Sequence, residues 1–195
     1  MKSISGTIAN TLWTQGIIQE EDIDTCRYGL DIFISSALEI ASILIIAAFV
    51  GNFFQAVLLF TAFIPLRIYA GGYHADTRVK CYLISVGVYA FLTLFTSVIS
   101  PKVYATVSII LTLTALVTVL TSSPVIHKNK SVCEIERKYY RKLSISICLI
   151  ESIIILILTV VLPQSPYIVS LAIGQAAVTV SMIAAIIKGK IADNK

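Results

Sequence analysis

Six stretches of about 20 apolar residues, parted by short polar breaks, set the terms for this 195-residue chain. They run near 30–50, 53–69, 82–100, 103–121, 143–162 and 167–187. The apolar residues come in runs and do not alternate with polar ones, so the solvent they suit is a bilayer and not a buried core. Gly51-Asn52, residues 69–81, Ser100-Pro101-Lys102, residues 122–142 and residues 163–166 form the breaks. Gly, Pro, Asn and Ser are the residues expected where backbone leaves a helix and meets water. Composition agrees: 57% of residues are hydrophobic and 13% charged, where a soluble domain carries roughly a quarter charged. The expected fold is an all-α integral membrane protein, one polytopic domain over residues 1–195 with about six transmembrane helices. The second span is the weakest, being short and ending at Pro65, which leaves a tilted or half-crossing helix, and four or five crossings, open.

Basic residues orient this arrangement. If both termini and the even-numbered breaks share one side, that side holds 14 of the 15 Lys and Arg residues and the other holds Lys102 alone. The positive-inside rule then puts both termini and the breaks 69–81 and 122–142 in the cytoplasm. The net charge of +4 calls for no nucleic-acid partner, because these residues flank spans and meet anionic headgroups. Residues 1–28 lack the pattern of a signal peptide. Ile4, Ile8, Leu12, Ile17 and Ile18 recur among polar residues, with Trp13 near the apolar side. That pattern fits an amphipathic helix in the cytoplasmic interface or a soluble cap.

Four cysteines are present, Cys26, Cys81, Cys133 and Cys148, with no CxxC pair. All fall in or near the cytoplasmic half, where disulfides are rare. The two histidines, His74 and His127, sit in different breaks, a spacing that does not favour a zinc site, and neither a metal nor another cofactor is expected. Residues 67–81 read Arg-Ile-Tyr-Ala-Gly-Gly-Tyr-His-Ala-Asp-Thr-Arg-Val-Lys-Cys. A plain loop needs no such density of chemistry. Gly71 and Gly72 allow unusual backbone, His74 can serve as a base near neutral pH, and a thiolate at Cys81 is a strong nucleophile once activated. In one continuous helix, residues seven apart stand about 10 Å apart along the axis, too far for a hydrogen bond of about 3 Å. A His74–Cys81 dyad therefore requires the chain to fold back, and the paired glycines permit it. The bland reading keeps Cys81 as a small apolar residue and His74 as a headgroup contact.

Arg67, Ala70-Gly71-Gly72, His74, Ala75, Thr77 and Cys81 together resemble the signature of the accessory gene regulator B family, membrane peptidases that process quorum-sensing propeptides. Ser123-Pro124-Val125 and Asn129-Lys130, followed by Glu134, resemble that family's second patch, although Ser131-Val132 stands where Pro-Leu is expected. The resemblance implies Cys81 as nucleophile and His74 as general base in a multi-pass protein of the bacterial cell membrane. It implies cleavage of the C-terminal tail of a small propeptide of the accessory gene regulator D (AgrD-like) type through a thioester. Ring closure to a thiolactone or lactone follows. Arg67, Gly71 and Gly72 would shape the site, and Asp76, Glu39, Lys128 and Lys130 are further candidates to shape it or bind substrate. The expected partners are the propeptide and the lipid bilayer, with homodimerisation left open.

Glu39, Glu151 and Asp31 lie within or near spans, where ionisable groups usually face protein or water. One could orient His74 or contact the precursor, or each could make a structural bond between helices. Asp76 does not face His74 on a helix, being two residues away. His127 reads as a surface residue, and the run 137–142 as a topological stop able to attract an acidic tail. Two other functions compete: a transporter using Glu39 and Glu151, against which the lack of an inverted repeat counts, and a scaffold subunit without chemistry.

Overall fold

The computed structural model describes residues 4–73, 78–125 and 133–193, and of Arg78, Cys81 and residues 189–193 the main chain only. Among the described residues there are seven α-helices: α1 Ile4–Thr14, α2 Ile23–Val50, α3 Phe53–Ala70, α4 Arg78–Val98, α5 Tyr104–Ser122, α6 Glu134–Val161 and α7 Pro166–Asp193. No strand occurs among the described residues. Five stretches among the described residues are long and apolar enough to cross a membrane: Glu20–Val50, Phe53–Ala70, Pro101–Ser122, Glu134–Val161 and Pro166–Lys188. The apolar part of α4, Tyr82–Val98, is shorter. The chain is thus an all-helical, multi-pass membrane protein.

Several helices run past the apolar stretches that announce them. α2 begins at Ile23, α4 at Arg78 and α6 at Glu134, so the basic run 137–142 is not loop but the opening turns of α6. Hydropathy marks only the part of a helix that lies in hydrocarbon. Glu, Lys and Arg are good helix formers and carry the helix on into water. At the start of α6 a capping box adds to this, the Glu136 carboxylate accepting from the Cys133 N–H at 3.3 Å. Pro65 does not end α3, which continues unbroken to Ala70. A proline removes one helical N–H donor, and the turns on either side keep the segment helical.

Contacts divide the chain into two units, residues 1–45 and 46–195. In the first, Ser5 of α1 donates a hydrogen bond of 2.5 Å to Oδ1 of Asp31 on α2. Of the readings left open for Asp31, the structural bond between helices is therefore present. Ser5 and Ala9 are buried, while Ile4, Ile8 and Trp13 are exposed.

In the second unit α7 packs on α3, α5, α6 and α4, most extensively on α3. Without water to drive burial, helices in lipid associate through small residues and polar pairs, and the buried positions show both. α3 turns Ala56, Leu59, Ala62, Leu66 and Ala70 inward. α5 buries Ser108, Thr112, Ala115 and Val119, and α6 buries Ser144, Cys148, Ser152, Ile155 and Thr159. These spacings of three and four trace one face of a helix. Leu113 and Val117 of α5 and Ile153 and Val160 of α6 point outward, as lipid-facing residues should. α7 meets α3 closely at Gly174, where a Cβ would overlap the carbonyl of Leu59. Beside it the buried Gln175 donates to the Cys148 carbonyl at 3.2 Å and to Ser152 Oγ at 3.0 Å.

Candidate active site

The elements converge on the end of the second unit where α3 stops. Gly71 has φ 74 and ψ −151 and Gly72 has φ 128, backbone that side chains rarely tolerate. Space excludes a side chain as well. A Cβ on Gly71 would overlap the carbonyl of Val125, and one on Gly72 would lie 2.7 Å from Arg67 Nη1 and 2.8 Å from Ser181 Oγ. The two glycines reverse the chain. Tyr73 comes back along α3 far enough for its carbonyl to accept from Arg67 Nη2 at 2.5 Å, six residues earlier in sequence. The turn begins at the paired glycines, and residues 74–77, on which the bend expected of a His74–Cys81 dyad falls, lie outside the described residues.

The reversed segment is bound on two sides. On one, the Gly72 N–H donates to the Val125 carbonyl at 3.2 Å and the Val125 N–H to the Ala70 carbonyl at 2.9 Å, forming an isolated parallel bridge. On the other, the Tyr73 N–H donates to the Ser181 carbonyl of α7 at 2.9 Å, and Lys188 Nζ stands 5.0 Å from the centre of the Tyr73 ring. The two sequence patches singled out separately, around Gly71-Gly72 and Ser123-Pro124-Val125, are therefore hydrogen-bonded to each other. The second patch is held in turn by α6. Arg141 donates to the carbonyls of Ser123 at 2.9 Å and Leu120 at 3.0 Å, satisfying carbonyls that the end of α5 leaves without helical partners. The hydroxyls of Ser123 and Ser144 pair alongside, and the rings of Tyr69 and Tyr140 pack at 6.2 Å.

Cys81 is the fourth residue of α4, which begins at Arg78, so its main chain belongs to the helix's first turns. His74, Asp76, Lys128 and Lys130, together with His127, lie outside the described residues. Glu39 lies on α2 in the first unit, half-buried, its carbonyl accepting from the Ser42 hydroxyl at 2.8 Å. Glu151 lies on α6, with Oε2 shielded from solvent and without a hydrogen-bond partner among the described residues.

The family model for accessory gene regulator B matches residues 4–187, from the start of α1 to within the last two turns of α7. The chain belongs to the accessory gene regulator B family. No curated protein and no solved structure matches it. As a member of the accessory gene regulator B family, the chain is associated with the processing of quorum-sensing propeptides. The match spans both loops that converge on Gly72 and Val125.

Sequence reasoning missed the contributions of Tyr73, Ser181, Lys188 and Arg141. Three of these are ordinary in context: Ser181 works through its carbonyl, Lys188 lies in a basic tail, and Arg141 sits in a run that topology alone explains. Tyr73 stood beside His74 but offered no chemistry of its own. The one available signal was the double glycine, which announces that another backbone comes close without saying which.

Proposed function

We propose that this protein is a membrane cysteine endopeptidase and cyclase that removes the tail of a small propeptide through a thioester on Cys81. The observation that carries the reading is the bridge between Gly71-Gly72 and Val125 in a chain matched over 4–187 by the accessory gene regulator B model. It joins both motif loops, and Cys81 follows the first of them in the opening turns of α4. Both termini and both loops face the cytoplasm, α4 makes the sixth crossing, and α1 lies in the headgroup layer with Ile4, Ile8 and Trp13 toward the acyl chains.

Helix N-termini and basic neighbours favour a thiolate over a thiol, and Cys81 has α4 behind it and Lys80 beside it. The thiolate attacks the carbonyl carbon of the scissile peptide bond. As the tetrahedral intermediate collapses, the C–N bond breaks and protonated His74 gives its proton to the leaving amine. The tail departs, and the body of the propeptide remains as a thioester on Cys81. Neutral His74 then takes the proton from a Cys thiol or Ser hydroxyl within the bound peptide. That group attacks the thioester, the ring closes, and Cys81 leaves as thiolate. Exclusion of water until the internal nucleophile arrives favours the ring over hydrolysis.

Co-expression with a propeptide of the accessory gene regulator D type tests the dyad. Cys81→Ala and His74→Ala are each expected to abolish tail cleavage with membrane insertion intact, while joint replacement of Cys26, Cys133 and Cys148 by Ser retains it. Cleavage by Cys81→Ala and none by the triple variant reverses the assignment.

A further inference from the structure

Tyr73 is the residue before His74, and three groups hold it: Ser181 O on its N–H at 2.9 Å, Arg67 Nη2 on its carbonyl at 2.5 Å, and Lys188 Nζ at 5.0 Å from its ring. The carbonyl of Tyr73 shares its peptide plane with the nitrogen of residue 74, so a clamp on that carbonyl sets the direction from which the histidine departs. Two of the three groups come from α7. Ser181 and Lys188 are seven residues apart, two turns on one face of the helix, and Tyr73 reaches both. The face is fixed in depth by the Gly174–Leu59 crossing and by Val178 and Met182, which pack with Leu66 and Ala70 of α3 in one buried cluster. α7 carries no residue assigned to the chemistry, yet it supplies two of the three groups that hold Tyr73.

We infer that α7 is a positioning element of the active site: Lys188 and the Ser181 carbonyl, with Arg67, hold Tyr73 so that His74 is aligned on Cys81. The inference rests on the reading of His74 and Cys81 as base and nucleophile. Alignment matters because a misplacement of about 1 Å in a catalytic group costs on the order of a hundredfold in rate. Lys188 is the adjustable member of the clamp, since a cation over a tyrosine face attracts it without fixing a bond direction.

The test uses the full-length protein in lipid nanodiscs with Cys26, Cys133 and Cys148 changed to Ser, so that Cys81 is the one thiol. Its alkylation by iodoacetamide, an uncharged reagent, is followed against pH. Lys188→Met is expected to slow alkylation near neutral pH by about two- to fivefold, the worth of an exposed cation–π contact. The midpoint should move upward, toward the profile of His74→Ala. Tyr73→Leu should move it further the same way. Lys188→Arg and Tyr73→Phe should restore the parent profile, because a cation and a ring persist; restoration by these two separates positioning from general damage to the fold. An unchanged profile in Lys188→Met and Tyr73→Leu, with His74→Ala shifted, overturns the clamp alone. A parent profile that His74→Ala leaves unmoved overturns the dyad, and the clamp with it.

Discussion

Gly71 and Gly72 carry more of the site than their size suggests, because each meets two demands at once. Each holds backbone with positive φ, and each gives up its Cβ space, Gly71 to the Val125 carbonyl and Gly72 to Arg67 and Ser181. The kinds of obstacle differ. A methyl on Gly71 meets backbone, which cannot move without breaking the bridge to Val125; a methyl on Gly72 first meets the ends of two side chains, with the Ser181 backbone at 3.1 Å. Backbone strain alone costs about 1–3 kcal/mol at such positions. Gly71→Ala is therefore expected to lower the melting temperature more than Gly72→Ala, and both should reduce propeptide cleavage. Thermal unfolding in detergent, monitored alongside cleavage, checks the order; equal stability for the two variants and the parent contradicts the account of the turn. The sequence announced these glycines as a point of close approach, yet the partner, Val125, lies more than fifty residues away and no local pattern names it.

Among the elements, α7 shows how position follows from packing and not from composition. Its sequence reads as one more span, and its inward residues set small and polar ones, Ser170, Gly174, Gln175 and Thr179, among the apolar Ile168, Val169, Ile173, Val178 and Met182. Gly174 lets α3 approach until backbone meets backbone, and that crossing sets the depth at which Ser181 receives Tyr73. Gly174→Leu should thus separate α3 from α7 and carry Ser181 away from the turn. Cleavage is expected to fall at least tenfold with the protein still inserted, since a shift of 1 Å at the site suffices; full activity in this variant contradicts the role of the crossing. Of the helices, hydropathy located every apolar core. It missed the polar extensions at the starts of α2, α4 and α6 because such residues are soluble and helical at the same time. Pro65, where the second span was expected to end, does not interrupt α3, because the neighbouring turns keep the helix intact.

At the scale of the whole molecule, the proposed topology, argued from the distribution of Lys and Arg, turns the end that carries the Gly71–Val125 bridge to the cytoplasm. Substituted-cysteine labelling of intact cells checks this. A cysteine at position 76 should resist an impermeant external reagent, and one at Lys102 should react; the reverse pattern contradicts both the topology and the chemistry built on it. The motif residues, and with them the family, were legible in the chain itself. The meeting of the two loops was not, since it depends on how α3, α5 and α7 pack. The central claim is that the propeptide passes through a thioester on Cys81, and it is tested most directly with a precursor whose internal nucleophile is changed to Ala. Such a precursor can be cleaved but not cyclised, so the acyl-enzyme should accumulate. Intact-mass measurement is expected to show the protein heavier by the N-terminal part of the precursor, with the added mass lost on neutral hydroxylamine and absent from Cys81→Ala. Release of the tail with no adduct at any time, and a linear product from the unmodified precursor, would contradict the cyclase and leave a simple protease.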